Sequence, residues 1–251
     1  MILLVDLGNT RVKWAWLESG VPAAQQAAPY DGWSIEQWRR ELFAGRCPAR
    51  VIACSVAAPA TMDTLREAAR LEGSAAVGFI NATRRMAGVT NGYDDPAQLG
   101  ADRWVGVIGA FHDRPVDSCI VNVGTAMTID AVTDRGQHLG GLIVPGPDLM
   151  VGALHRETSD LAGRSAASKA RAHADFAADT RSAIENGCEL ALAALVERQC
   201  SELAHRLGRA PRLVFAGGAA HRVRAWVKVA SDHAPDLVLR GLAVIATQPT
   251  P

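Results

Sequence analysis

The sequence predicts an α/β protein made of two similar halves, each a mixed sheet flanked by helices. Three observations lead there. From Met1 to Val5 the chain is apolar into Asp6, reverses at Gly8-Asn9-Thr10 and resumes over Val12 to Leu17, a strand–turn–strand pattern. Cys119 to Val132 repeats it, with Asn122 near the end of the first strand and Gly124-Thr125 as the turn; a unit met twice in one chain points to a duplicated fold. Strands alternate with helical periodicities through the first half, and 251 residues with 49% hydrophobic content suffice for two cores.

After the first hairpin, Ser34 to Phe43 places an N-cap candidate ahead of apolar residues at helical spacing, which predicts a surface helix. Arg50–Val56 reads as a short buried strand, Ala60–Leu71 as a helix beyond Pro59, and Val77–Ile80 as the next strand. Asn91–Arg103 is polar and turn-rich and opens a helix over Trp104–Phe111. A polar loop feeding a helix N-terminus favours anions, so this stretch is the candidate substrate pocket. Asp113–Asp117 is the expected link, giving domains 1–115 and 116–251. Gly140–Pro147, dense in glycine and proline, predicts a fixed backbone path or equally a plain loop. Residues 148–179 predict helix without clear phase. Thr180–Gly208 predicts one long helix with Ile184, Cys188, Ala191, Leu195, Leu203 and Leu207 on its apolar face. Pro211–Gly218 follows as a strand and a Gly-Gly turn, then a short helix and a final strand at Leu237–Leu239.

With 26 basic and 26 acidic residues, no global field recruits nucleic acid or an anionic membrane, and the expected partner is a small molecule. The basic pairs Arg84-Arg85 and Arg222-Val-Arg224 read as solvated surface. Cys47, Cys54, Cys119, Cys188 and Cys200 show no metal-ligand spacing and read as reduced core thiols. The start is too short and uncharged for a signal peptide and no apolar run reaches membrane-spanning length, so a cytoplasmic location is expected. The histidines are scattered singly and suggest no function.

The two turns carry the chemistry. Gly8 lets the backbone bend with positive φ or approach a ligand, and Asn9 and Thr10 offer donors to an anion. Asp6 ends the strand where it can face a magnesium ion or its water shell, and Lys13 can reach back to phosphate oxygens. The same residues also suit an ordinary β-hairpin. No Gly-x-x-x-x-Gly-Lys-Ser/Thr occurs, which excludes a P-loop kinase.

Taken together and in this order, Asp6-Leu-Gly-Asn-Thr10 with Lys13, Gly100-Ala-Asp-Arg103, Gly124-Thr-Ala126, Gly140-Gly-Leu-Ile-Val-Pro-Gly146 and Gly217-Gly218 resemble type III pantothenate kinase. That family belongs to the acetate and sugar kinase, Hsp70 and actin superfamily, so the resemblance implies a duplicated actin-like (ribonuclease H-like) fold. It also implies ATP-dependent phosphorylation of pantothenate to 4′-phosphopantothenate, the first step of coenzyme A biosynthesis, with Mg2+ and a monovalent cation, K+ or NH4+, as cofactors. Each half would present one loop to a nucleotide's phosphates.

Carried over residue by residue, the resemblance makes Asp102 the catalytic base and puts Tyr93, Gly100, Ala101, Asp102 and Arg103 in the pantothenate site. Asp6, Leu7, Gly8, Asn9, Thr10, Arg11, Val12 and Lys13 form the first phosphate loop, with Asp6 on magnesium through water. Gly124 and Thr125 form the second, and Gly217 and Gly218 lie against the adenosine. Thr180 matches a position that reaches the substrate site of a second subunit, implying a homodimer; as a residue alone it reads as a helix N-cap. One departure stands out: Asn122 replaces an Asp that binds the monovalent cation in the family, which weakens that site. A kinase for another small alcohol, or a nucleotide-binding regulatory protein without turnover, remain the alternative readings.

Overall fold

Residues Ile2–Leu7 form β1 and Arg11–Glu18 form β2, an antiparallel pair that sets Asp6 opposite Lys13. The computed structural model describes residues 1–74, 76–158 and 176–248. On β2 lie β3 (Val21–Pro22) and β4 (Gln26–Pro29), and on the other side of β1 the parallel strands β5 (Arg50–Ser55) and β6 (Val77–Phe79) complete the order β3-β2-β1-β5-β6. A small hairpin, β7 (Arg85–Met86) and β8 (Val89–Thr90), follows. The second sheet comprises β9 (Ser118–Val123), β10 (Ala126–Val132), β11 (His138–Pro145), β12 (Arg212–Ala216) and β13 (Asp232–His233), in the order β11-β10-β9-β12-β13. Apart from β4, which adds to β2 in the first sheet, the two orders match: a central strand with its hairpin partner and the strand after it on one side, and two parallel strands on the other. The duplication expected from the two turns is therefore present in the strand order, and the fold is of the actin-like α/β type.

Strand β1 is buried on both faces, which is why it reads as a continuous apolar run instead of an alternating one. Leu3, Val5 and Leu7 join Val12, Trp14, Trp16 and Phe43 in one cluster, while Leu4 joins Ala15, Ile52 and Cys54 in another. On the first face pack α1 (Ile35–Trp38), which runs into a π-helical turn through Phe43, and α2 (Pro59–Leu71). Ser34 caps α1 in a capping box with Gln37, but Trp38, Leu42 and Phe43 are buried, so this element is less superficial than expected. The other face takes α3 (Ala101–Asp113) and the last helix of the chain.

Four expectations need correction. Leu237–Leu239 is not a strand: it starts a helix over Leu237–Thr247, whose buried Leu237, Val238, Leu239, Leu242, Ala243 and Ala246 recur at helical spacing. A three-residue apolar run cannot separate the two periods; packing does so here, because a Cβ on Gly241 would lie 2.1 Å from the Val105 carbonyl oxygen and one on Gly109 2.4 Å from that of Leu237. For Gly140–Pro147 the fixed backbone path holds and the plain loop fails, since most of its length is strand β11. Helix α3 begins at Ala101, so Asp102 and Arg103 sit in its first turn and not in the preceding loop. After α4 (Pro147–Glu157), the long helix α5 (Thr180–Leu207) is capped by Asp179, whose carboxylate accepts from the Ser182 amide at 3.0 Å. Its buried face runs Ile184, Cys188, Leu192, Val196, Cys200 and Leu203, leaving the expected Ala191 exposed. Much of 148–179 lies outside the described residues.

A short helix α6 (Ala220–Arg224) precedes β13, and α7 is the helix Leu237–Thr247. The chain forms two compact units. One holds Met1–Pro115, the hairpin tip Val132–Gly140 and the stretch from Asp236; the other holds Val116–Ala131 and Gly141–Pro235. Among the described residues no helix is long and apolar enough to cross a membrane.

Candidate active site

In the first unit the turn Gly8–Thr10 is closed by the Gly8 amide donating to the Arg11 carbonyl at 3.0 Å. Gly8 does not adopt a positive φ; its need is space, since a Cβ would lie 3.1 Å from the Arg11 carbonyl oxygen. The Tyr30 hydroxyl braces the turn, reaching the Gly8 carbonyl at 2.6 Å and the Asn9 carbonyl at 2.9 Å. Asn9, Thr10 and Arg11 are exposed at its tip, while Leu7 and Val12 anchor it in the core.

Behind the turn, Asp6 is 8% exposed. Lys13 Nζ stands 3.5 Å from its Oδ2, and the Cys54 thiol contacts its Oδ1 at 3.7 Å. Burial pushes the Asp6 carboxyl up, with Lys13 and then Cys54 pulling it back. The Cys54 thiol is itself pushed well up, first by burial and then by the charges of Asp6 and Asp102, so both carboxylates bear on one buried sulfur. Three residues thus meet here: Asp6, Lys13 and Cys54. Lys13, expected to serve phosphate alone, first balances Asp6.

Asp102 occupies the first turn of α3, where a carboxylate suits the helix dipole. Its Oδ1 accepts from the Arg103 amide at 2.8 Å, and a Cβ on Gly100 would come within 2.9 Å of it, so the glycine makes room for this rotamer. Arg103 is buried; its guanidinium donates to the Tyr93 hydroxyl at 2.8 Å and lies over that ring at 5.6 Å. Tyr93 is held by an Asx turn, its amide donating to Asn91 Oδ1 at 3.0 Å. Ala101 is buried and serves the packing of α3.

In the second unit Gly124 and Thr125 are exposed at the β9–β10 turn, with the Gly124 amide donating to the Ala126 carbonyl at 2.9 Å. Gly146 presses on this turn: its amide donates to the Thr125 carbonyl at 2.9 Å, and a Cβ on it would lie 2.1 Å from the Gly124 carbonyl oxygen. Gly217, at φ +93°, leaves a Cβ no room either, 2.3 Å from the Val123 carbonyl oxygen and 2.6 Å from Asn122 Oδ1. That oxygen is buried and has no hydrogen-bond partner among the described residues. Gly218 is exposed beside it. Thr180 lines a cavity of about 550 Å³ with Met150, Leu154, Ile184 and Cys188.

A family model for type III pantothenate kinase matches residues 2–202. The chain belongs to the type III pantothenate kinase family. A type III pantothenate kinase of Laribacter hongkongensis (strain HLHK9) is 38% identical over 249 residues, with 98% of each chain covered. Another, of Nitrosospira multiformis, is 36% identical over 254 residues, covering 99% of this chain and 92% of the relative. Among solved structures, a conserved putative Baf family transcriptional activator from Campylobacter jejuni superposes with a TM-score of 0.62 over 97% of this chain and 96% of its own, at 18% identity, a likeness of fold.

Several residues hold the structure together without having announced themselves in the sequence. Arg84, read as solvated, donates to the carbonyls of Asn91 at 3.1 Å, Tyr93 at 2.8 Å and Asp94 at 2.6 Å. Arg222 likewise pairs with buried Glu189 at 2.6 Å and with Asp148. His138 stacks on Tyr93. Only Gly146 had a usable signal, as the close of the glycine-rich segment; a lone Arg, Cys or His has no spacing to betray it. The donor set also fits a divalent ion: no cluster of three potential ligands exists among the described residues, but one buried carboxylate, Asp6, is what magnesium requires when phosphates and water supply the rest.

Proposed function

We propose that this chain transfers the γ-phosphoryl group of ATP to the hydroxyl of pantothenate, giving ADP and 4′-phosphopantothenate, the first step of coenzyme A biosynthesis. The observation that carries this reading is the Asp102–Arg103–Tyr93 arrangement at the start of α3, in a chain that aligns with pantothenate kinases almost end to end. Arg103 offers a fixed guanidinium for the substrate carboxylate, and Tyr93 lines the same site. Asp102 accepts the proton of the acceptor hydroxyl as its oxygen attacks phosphorus. Lys13 and the exposed donors of Asn9, Thr10, Gly124 and Thr125 contact phosphate oxygens, with Gly217 and Gly218 against the adenosine. Asp6 is the residue that would hold magnesium, which would offset charge on the phosphates.

ADP release with pantothenate against a panel of small alcohols tests the reading: turnover confined to pantothenate is expected, and none with pantothenate overturns it. Asp102→Asn is expected to lower kcat by about 10²-fold or more while ATP affinity holds, the usual size for a lost general base. Near-normal turnover would remove Asp102 from that role.

Asn122, whose orphaned amide oxygen lies against Gly217, is the residue here to contact a monovalent cation. An amide supplies an oxygen but no charge, so potassium binds weakly. Asn122→Asp is expected to lower the half-saturating potassium concentration of the kinase several-fold in sodium-balanced buffer; tight activation of the unmodified protein, unchanged by the substitution, would refute this. The cavity at Thr180 supports a homodimer in which this residue completes the site of a second copy, and light scattering at assay concentration decides it.

A further inference from the structure

We infer that His138 is a positioning residue for pantothenate binding: from the tip of the β10–β11 hairpin it sets the pose of Tyr93. This rests on the reading that Tyr93 and Arg103 line the pantothenate site. His138 is fully buried, and its ring stacks on that of Tyr93 with centroids 6.0 Å apart and planes 15° from parallel. The Gly92 amide donates to its Nδ1 at 3.5 Å. The backbones meet closely as well: a Cβ on Gly92 would sit 2.1 Å from the His138 carbonyl oxygen. A side chain at position 92 would push the hairpin tip off the loop.

The opposite side of the loop is held by Arg84, whose guanidinium gathers the carbonyls of Asn91, Tyr93 and Asp94. Arg84 therefore fixes the loop backbone, and His138 fixes the ring. Tyr93 has its hydroxyl on Arg103 and one face on His138. A ring tilted away from His138 would carry the hydroxyl off the Arg103 guanidinium, so loss of the stack loosens both groups that meet the substrate. An aromatic contact of this kind is worth up to about tenfold in an equilibrium constant. Because Asp102 is placed by α3 and not by this loop, the effect should fall on binding and spare the chemical step.

The test compares His138→Ala with His138→Phe, which keeps the ring and loses the acceptor. Expected for His138→Ala is a rise of about five- to tenfold in KM for pantothenate, with kcat within about twofold and KM for ATP unchanged. His138→Phe should recover most of the affinity. In Tyr93→Ala, adding His138→Ala should cost nothing further, since the two changes share one path. An unchanged KM, equal losses in kcat and ATP affinity, or multiplied losses in the double variant would each overturn the inference. Hydrogen exchange at the Gly92 and Tyr93 amides separates it from the substrate assignment. If the unmodified enzyme does not phosphorylate pantothenate, that assignment fails, and exchange alone decides: faster exchange in His138→Ala upholds the positioning role, and unchanged exchange overturns it.

Discussion

The two hairpin turns have the same place in their sheets but are held in different ways. Side chains hold the first: the Tyr30 hydroxyl spans the Gly8 and Asn9 carbonyls, and Lys13 and Cys54 flank the Asp6 carboxylate. Backbone holds the second, where Gly146 and Gly217 lie against the main chain of residues 123–125 too closely for any Cβ. The first turn thus carries a charge and adjustable braces, while the second is uncharged and fixed by fit. A duplicated unit can keep its topology and divide the work, one copy supplying electrostatics and the other shape.

The largest expected effect tests that division directly. On the proposed roles, Asp6→Asn should lower kcat/KM for ATP by about 10²-fold or more, whereas Asn122→Ala should lower it less than about tenfold, because of the two only Asp6 carries a charge. Steady-state kinetics at saturating pantothenate measures both, and equal losses would break the comparison. Next comes fit. Gly217→Ala forces a Cβ into a positive-φ position with backbone 2.3 Å away, so it should cost at least about 2 kcal/mol and lower Tm by about 4–8 °C. Gly8→Ala, with a 3.1 Å contact and no positive φ, should cost under half of that. Calorimetry on the pair would sharpen the contrast, and similar losses would dissolve it.

Smaller effects probe the braces. Tyr30→Phe removes two hydroxyl contacts from the first turn and should raise KM for ATP only about two- to fivefold, without changing KM for pantothenate. The last expectation is one of sign. Burial raises the Asp6 carboxyl above its unfolded value, so the folded state holds that proton more tightly. Stability is therefore lost as pH rises through the interval between the unfolded and folded values, and the ionised group remains a cost at neutral pH. Asp6→Asn should accordingly melt higher than the unmodified protein at pH 7 in metal-free buffer, with the gain vanishing below about pH 4. A lower Tm at pH 7 would mean that the Lys13 pair outweighs burial.

How far the sequence could be read follows from the same physics. The hairpins were legible because apolar runs ending in Asp6-Leu-Gly-Asn and Asn122-Val-Gly-Thr leave few options, and their recurrence revealed the duplication. Gly100-Ala-Asp-Arg103 was legible as a motif, though its helical start was not, since Gly100 caps α3 without a side chain. Leu237–Leu239 was misread because its helix is specified by Val105 and Gly109, over 120 positions away. Asp179 took the capping role from Thr180 by one residue, a distinction that only the Ser182 contacts make. His138, Arg84 and Cys54 act through contacts across 7 to 48 positions, which no local pattern encodes.

The Gly109–Gly241 crossing bears on how the protein is made. Helix α7 covers Leu4, Ala15, Ile52 and Cys54, so the first unit cannot seal this face until a helix far along the chain has been made and docks on it. Without α7 this face is an open apolar trough. Ending translation before Leu237 is expected to leave that trough open, seen as binding of a hydrophobic dye by the truncated chain. Since Cys54 stands both in that trough and against the Asp6 carboxylate, docking of α7 also completes the packing around the first turn's charge.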